Sequence, residues 1–130
     1  MGVVARMSRT VLTPGPDHPI TVALNPNRVV VTRGGTVIAD TRSALVLQEA
    51  SYPAVQYIPR ADADLGALER SDHATYCPYK GDAAYFTIQA GDGPAENAVW
   101  TYEAPYDAVA EIKDHLAFYP NQVEIREEPA

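Results

Sequence analysis

With 130 residues, 46% of them apolar and 21% charged, the chain has the size and balance of one globular domain with a single core. Its net charge of −7 comes without any run of Lys or Arg, which argues against nucleic acid or an anionic membrane as partner. One cysteine excludes an internal disulfide and any Cys-x-x-Cys zinc site, and it fits a reducing cytoplasm, the expected location.

Residues 1–16 read as a flexible tail ending at Thr13-Pro14-Gly15-Pro16, and residues 17–127 as the domain. Arg6 and Arg9 interrupt the few apolar residues near the start, so no signal peptide is expected. Eleven prolines are spread along the chain, favouring short elements joined by rigid turns over long helices. Ile20–Leu24 alternates as a strand does. Asn25-Pro26-Asn27 reads as a turn, Arg28–Arg33 as a β-branched strand, and Gly34-Gly35 as a two-residue hairpin leading into Thr36–Asp40. These three strands are expected to form an antiparallel meander.

Ser43–Glu49 suits a helix by composition, but it is short and followed by Tyr52-Pro53, so a strand or irregular edge is favoured. Val55–Ile58 is a strand ended by Pro59. Asp64 is placed to cap a short helix over Leu65–Arg70. Thr75-Tyr76 and Ala83–Gln89 flank a Cys-Pro-Tyr-Lys-Gly-Asp turn as a second hairpin, with Lys80-Gly81 at its tip. Gly91–Pro94 is a loop and Ala98–Tyr102 a strand. Pro105, with Val109, Ile112 and Leu116 at helical spacing, predicts a C-terminal helix that Pro120 stops. Val123–Ile125 makes a last strand, and residues 128–130 are a tail. No βαβ rhythm is present, so a parallel sheet is not expected.

The chemistry-bearing residues gather in Ser71–Tyr85, which holds Cys77, His73, Lys80 and three of the eight tyrosines. Cys77 is a nucleophile if His73 serves as its base. On an extended strand, however, four residues span about 13 Å, beyond hydrogen-bond reach. A small packed residue beside a proline turn is the simpler account. Lys80, one of only two lysines, either holds a polar or anionic group or merely serves the turn. Glu49, Tyr52, Tyr57 and Arg60 form a second group, with Glu49 as a candidate acid or base and Arg60 as a candidate anion clamp. The alternative is solvated strand ends. Trp100 and Tyr102 share one strand face, as core or as a ligand wall. His18, at the domain edge before Pro19, carries no expected role. His115 is expected to be solvated, and the three histidines lack metal-ligand spacing.

The run Thr75–Tyr85 resembles the central motif of the domain of unknown function 427 family. The likeness extends to Val37–Thr41 with Ala44, Leu45 and Glu49, to Tyr57–Arg60, to Glu96–Tyr102, and to Phe118-Tyr119, and covers about residues 18–127. It implies a mainly β, β-tent-like fold of two packed antiparallel sheets, here without the zinc cysteines of that group. The positions matching the family motif are Glu49, Tyr57, Arg60, Thr75, Cys77, Lys80, Gly81, Tyr85, Trp100 and Tyr102. The family sometimes bears a nucleotidyltransferase-like label, but the chain lacks a Gly-Ser motif with paired aspartates to hold two magnesium ions.

The expected function is binding of a small polar or anionic molecule in a pocket between the sheets, with catalysis left open. Tyr57, Tyr85, Trp100 and Tyr102 would line the pocket, Arg60 and Lys80 would fix the ligand, and Glu49, Cys77 and Lys80 are the candidate catalytic residues. The alternatives are a protein-interaction module without catalysis, a thiol-dependent enzyme using Cys77, and a nucleotidyltransferase. No metal or cofactor is expected.

Overall fold

Gly34 and Gly35 both take positive φ, +54° and +81°. A two-residue primed turn requires this backbone, and glycine adopts it without a Cβ clash. The turn closes the first hairpin where the sequence places it. The computed structural model describes residues 9–130. Ten strands follow in order: β1 (Ile20–Leu24), β2 (Arg28–Arg33), β3 (Thr36–Thr41), β4 (Leu45–Glu49), β5 (Val55–Pro59), β6 (Leu68–Cys77), β7 (Gly81–Ile88), β8 (Ala95–Tyr102), β9 (His115–Phe118) and β10 (Glu124–Glu128). They form two antiparallel sheets, one of seven strands in the order β1-β4-β5-β9-β8-β7-β6 and one of three in the order β10-β2-β3. The mainly β, two-sheet architecture is the one expected.

The meander is not. β1 pairs with β4, with Ile20 opposite Glu49, while β2 pairs with β3 and β10. Asn25-Pro26-Asn27 is a crossing between sheets instead of a tight turn. The buried Asn25 fastens it: its backbone N–H donates to Ala44 O at 2.8 Å, and its side-chain amide donates to Gln56 at 3.1 Å and Glu127 at 2.9 Å. These long-range partners override the local turn signal.

The C-terminal helix is also corrected. Asp107–Ile112 is a 3-10 segment, and His115–Phe118 is a strand in the middle of the larger sheet, between β5 and β8. Asp114, at φ +59°, separates the two. Val109 and Ile112 are buried as a helical face would be, but Leu116, Ala117 and Phe118 are buried consecutively. A strand covered on both faces gives such a run, and its apolar spacing mimics a helix. The helix expected over Leu65–Arg70 shortens for a related reason. Asp64 does cap it, accepting from Gly66 N at 3.1 Å, but one 3-10 turn, Leu65–Ala67, suffices before β6 begins. At the end of the chain, Glu128 is a strand residue opposite Arg28, not part of a tail.

The larger sheet has two apolar faces, and strand alternation assigns them. Ile58, Val99 and Leu116 pack with Val29, Val31 and Ile38 of the smaller sheet, forming the core between the sheets. Their strand neighbours Tyr57 and Ala117, with Leu47, Tyr85 and Tyr102, point the other way and are closed over by Val109 and Ile112. The described part of the N-terminal segment lies along the β6–β7 hairpin. Arg9 pairs with Asp82 and sits over the Tyr76 ring, 3.7 Å from its centre, and Leu12 N–H donates to Pro78 O at 3.0 Å. Residues 1–8 of the expected tail lie outside the described residues.

Leu116 is fully buried where β9 meets the inter-sheet core. Leu116→Ala is expected to cost about 2–5 kcal/mol in chemical denaturation. Leu24→Ala, at a side chain 64% exposed on β1, should stay within about 0.5 kcal/mol of the parent.

Candidate functional site

The site begins at the Cys77–Lys80 turn. Lys80 N–H donates to Cys77 O at 3.2 Å, which puts Pro78 and Tyr79 at the corners and uses the fixed φ of proline at the first of them. The tip is therefore Pro78-Tyr79, not Lys80-Gly81. Gly81, at φ +108°, starts β7, and Lys80 turns inward to become a buried lysine, 7% exposed. Its ammonium bonds Glu49 Oε1 and lies 3.7 Å from Cys77 Sγ.

That bond spans the sheet. β4, which carries Glu49, is four strand positions from β7, and a flat sheet would hold them ~19 Å apart. The seven strands must roll for the two side chains to meet, and the roll encloses a cavity of about 240 Å³ on the face away from the smaller sheet. Leu47 and Glu49 of β4, Val55 and Tyr57 of β5, Tyr85 of β7, Trp100 and Tyr102 of β8, Lys80, Tyr119 and the Tyr52-Pro53 loop line it. The expected position between the sheets is thus corrected: strand alternation directs these rings to the opposite face.

Six aromatic rings surround the cavity. Trp100 Nε1 donates to the Tyr57 hydroxyl at 3.3 Å, with the rings edge to face, and Trp100 also packs on Tyr119 at 4.6 Å between centres. The Tyr85 hydroxyl exchanges a hydrogen bond with Thr75 Oγ1 at 2.9 Å. The Tyr102 hydroxyl has no hydrogen-bond partner among the described residues. Burial pushes Tyr57 and Tyr102 well above the ordinary phenol range, and burial beside Tyr85 takes Tyr119 up to about 12. These phenols stay neutral at physiological pH.

Among the described residues, Glu49 and Lys80 are the only charged residues in the lining. Burial disfavours the Glu49 carboxylate, but hydrogen bonds from Lys80 and His18 outweigh it and hold the carboxyl below its ordinary value. His18 Nε2 lies 2.7 Å from Glu49 Oε2, and its ring stacks on Tyr79 at 4.1 Å between centres. Glu49 is therefore gripped from two sides, and the charges around the cavity are paired within the protein.

The fold thus brings Glu49, Tyr57, Lys80, Tyr85, Trp100 and Tyr102 to one cavity. Cys77 stands behind Lys80, half-buried and outside the lining. His73 makes no hydrogen bond with Cys77; its ring packs edge-on to Tyr85 at 4.5 Å. Arg60 lies apart, its guanidinium donating to Thr101 Oγ1 at 3.1 Å and to Glu103 at 3.4 Å. Glu103, held below its ordinary value chiefly by Arg70, ties both arginines together. His18 and Tyr119 were not expected in the site. His18 becomes visible only once β1 pairs with β4, and Tyr119 only once β9 is recognised as a strand. Among the described residues, no group of three or more His, Cys, Asp or Glu is placed to hold a metal ion, and no helix is long and apolar enough to cross a membrane.

A family model described as a domain of unknown function (DUF427) matches residues 21–128, so the chain belongs to that family. No curated protein matches it.

Removing the Glu49 charge leaves Lys80 buried without its partner. Because the Glu49 side chain is 18% exposed, Glu49→Gln is expected to cost on the order of 2 kcal/mol at pH 7, less than the loss of a fully buried pair. The folded-state carboxyl titrates below the ordinary value of 4.5. Its stabilisation is therefore complete above that value and disappears as pH falls through the lower folded value. Denaturation curves of the two proteins should accordingly converge below pH 4.5.

Proposed function

We propose that this domain binds a small, planar, uncharged polar molecule in the ring-lined cavity, with Lys80 and Glu49 supplying a donor and an acceptor side by side. The observation that carries this reading is the pairing of six aromatic rings with one internally neutralised ion pair around about 240 Å³. An engineered apolar cavity of about 150 Å³ takes up benzene, so this space suits one substituted ring. Flat rings around it offer stacking and edge contacts. Because Glu49 already neutralises Lys80, and Arg60 is occupied by Glu103, a free anion gains little. A primary amide, or a neighbouring hydroxyl and carbonyl, can donate to Glu49 while accepting from Lys80. The Tyr102 hydroxyl adds a further neutral group.

Trp100 is the single tryptophan of the chain and lines the cavity, so its emission reports occupancy directly. Titration with benzamide, 4-hydroxybenzamide and the corresponding benzoates is expected to shift that emission, with each amide binding more tightly than its carboxylate. Tyr102→Phe should weaken amide binding by roughly threefold to tenfold, the worth of one hydrogen bond. Emission that none of the four compounds moves, or carboxylates that bind more tightly than amides, would refute the reading.

A further inference from the structure

The larger sheet is joined at its middle by only two rungs. β5 and β9 pair at Ile58–Leu116 and Pro59–His115 and nowhere else, although β5 starts at Val55 and β9 runs to Phe118. Beyond those rungs no further pairing joins the two strands. The ring-lined cavity lies on one side of this seam, bordered by Val55, Tyr57 and Trp100. On the other lies a second, larger and more apolar hollow of about 470 Å³. Gln56 and Phe118 enter it from the opposite strand face, and Ile125 of β10 contributes from the smaller sheet. Tyr52, Pro53, Val55 and Trp100 border both spaces. The two hollows are thus neighbours, one ring-walled around the Glu49–Lys80 pair, the other more apolar and bordered by both sheets.

Resting on the cavity reading above, we infer that the ligand is an elongated amphiphile: a planar polar head between Glu49, Lys80 and the rings, and a hydrocarbon tail passing Trp100 through the seam into the groove between the sheets. The tail is the occupant that this geometry favours. Among the described residues, Glu127 is the one charged residue lining the groove, and the groove's shared border with the head cavity continues the path of a bound ring. Tyr52 and Pro53 border both spaces, and Tyr52 is 61% exposed.

The probe is a series of 4-alkylbenzamides from methyl to hexyl, measured by calorimetry against benzamide. Affinity is expected to rise about fourfold for each methylene that leaves water. Ala54 is exposed on the groove wall, so Ala54→Phe should fill the tail space without disturbing the fold. It should abolish the chain-length increment while leaving benzamide binding unchanged. Tyr102→Phe should lower every member of the series by the same factor and preserve the increment. Benzamide binding without any gain from the alkyl chain, or a gain that survives Ala54→Phe, overturns the inference and leaves the cavity reading standing. If neither benzamide nor its alkyl derivatives bind, both fall together.

Discussion

The bond between Lys80 and Glu49 marks how far the seven-stranded sheet has rolled. Its two residues lie 31 positions apart in sequence, one on β4 and the other in the turn before β7, elements that a flat sheet would hold well out of reach. With the roll in place, the face away from the smaller sheet becomes concave, and the large rings of β5, β7 and β8 converge there. The 3-10 segment Asp107–Ile112 fills part of this concavity with Val109 and Ile112, and the remainder is the cavity. The ion pair itself is a modest source of stability, since two charges must leave much of their water. Its larger role is to fix the geometry of the wall. His18 and Tyr79 support Glu49 from behind, so the carboxylate cannot swing away from the ammonium without also breaking the contact with His18.

The sequence was informative wherever structure is set by neighbours along the chain. Gly34-Gly35 declares its hairpin, Asp64 its cap, and the β-branched run Arg28–Arg33 its strand. It misled where a distant partner decides. Ile20–Leu24 reads correctly as a strand, but nothing local says that it joins Leu45–Glu49 instead of the next strand. Val109, Ile112 and Leu116 satisfy a helical period, yet Leu116 belongs to a central strand covered on both sides. The burial that defines it comes from β5 and β8, which cannot be seen from residues 105–120.

The same division holds for the site. Tyr57, Trp100 and Tyr102 stand out in the sequence as rings on strands, and Lys80 as a rare lysine in an acidic chain. Alternation predicts which of their neighbours share a face, but not which face of the sheet is hollow, so the cavity was expected between the sheets. Arg60 illustrates the converse. It sits directly after the strand that carries Tyr57, yet the 3-10 turn at Arg60–Asp62 carries its guanidinium to Glu103 and Thr101. His18 looked inert because its importance lies in a contact with Glu49, across the β1–β4 pairing.

The two-rung joint between β5 and β9 has a mechanical consequence. Strands β1, β4 and β5 form one leaf of the sheet, and β9, β8, β7 and β6 the other. Two residue pairs join β5 to β9 across the line where the leaves meet, against three between β4 and β5, so little backbone bonding resists local opening there. Side-chain ties also cross it: Glu49 to Lys80 and Tyr57 to Trp100, both bordering the cavity, and Arg60 to Thr101 and Glu103. Residues that shape the cavity therefore also help to hold the two leaves together, and a guest that strengthened either of the cavity-side ties would stiffen the sheet.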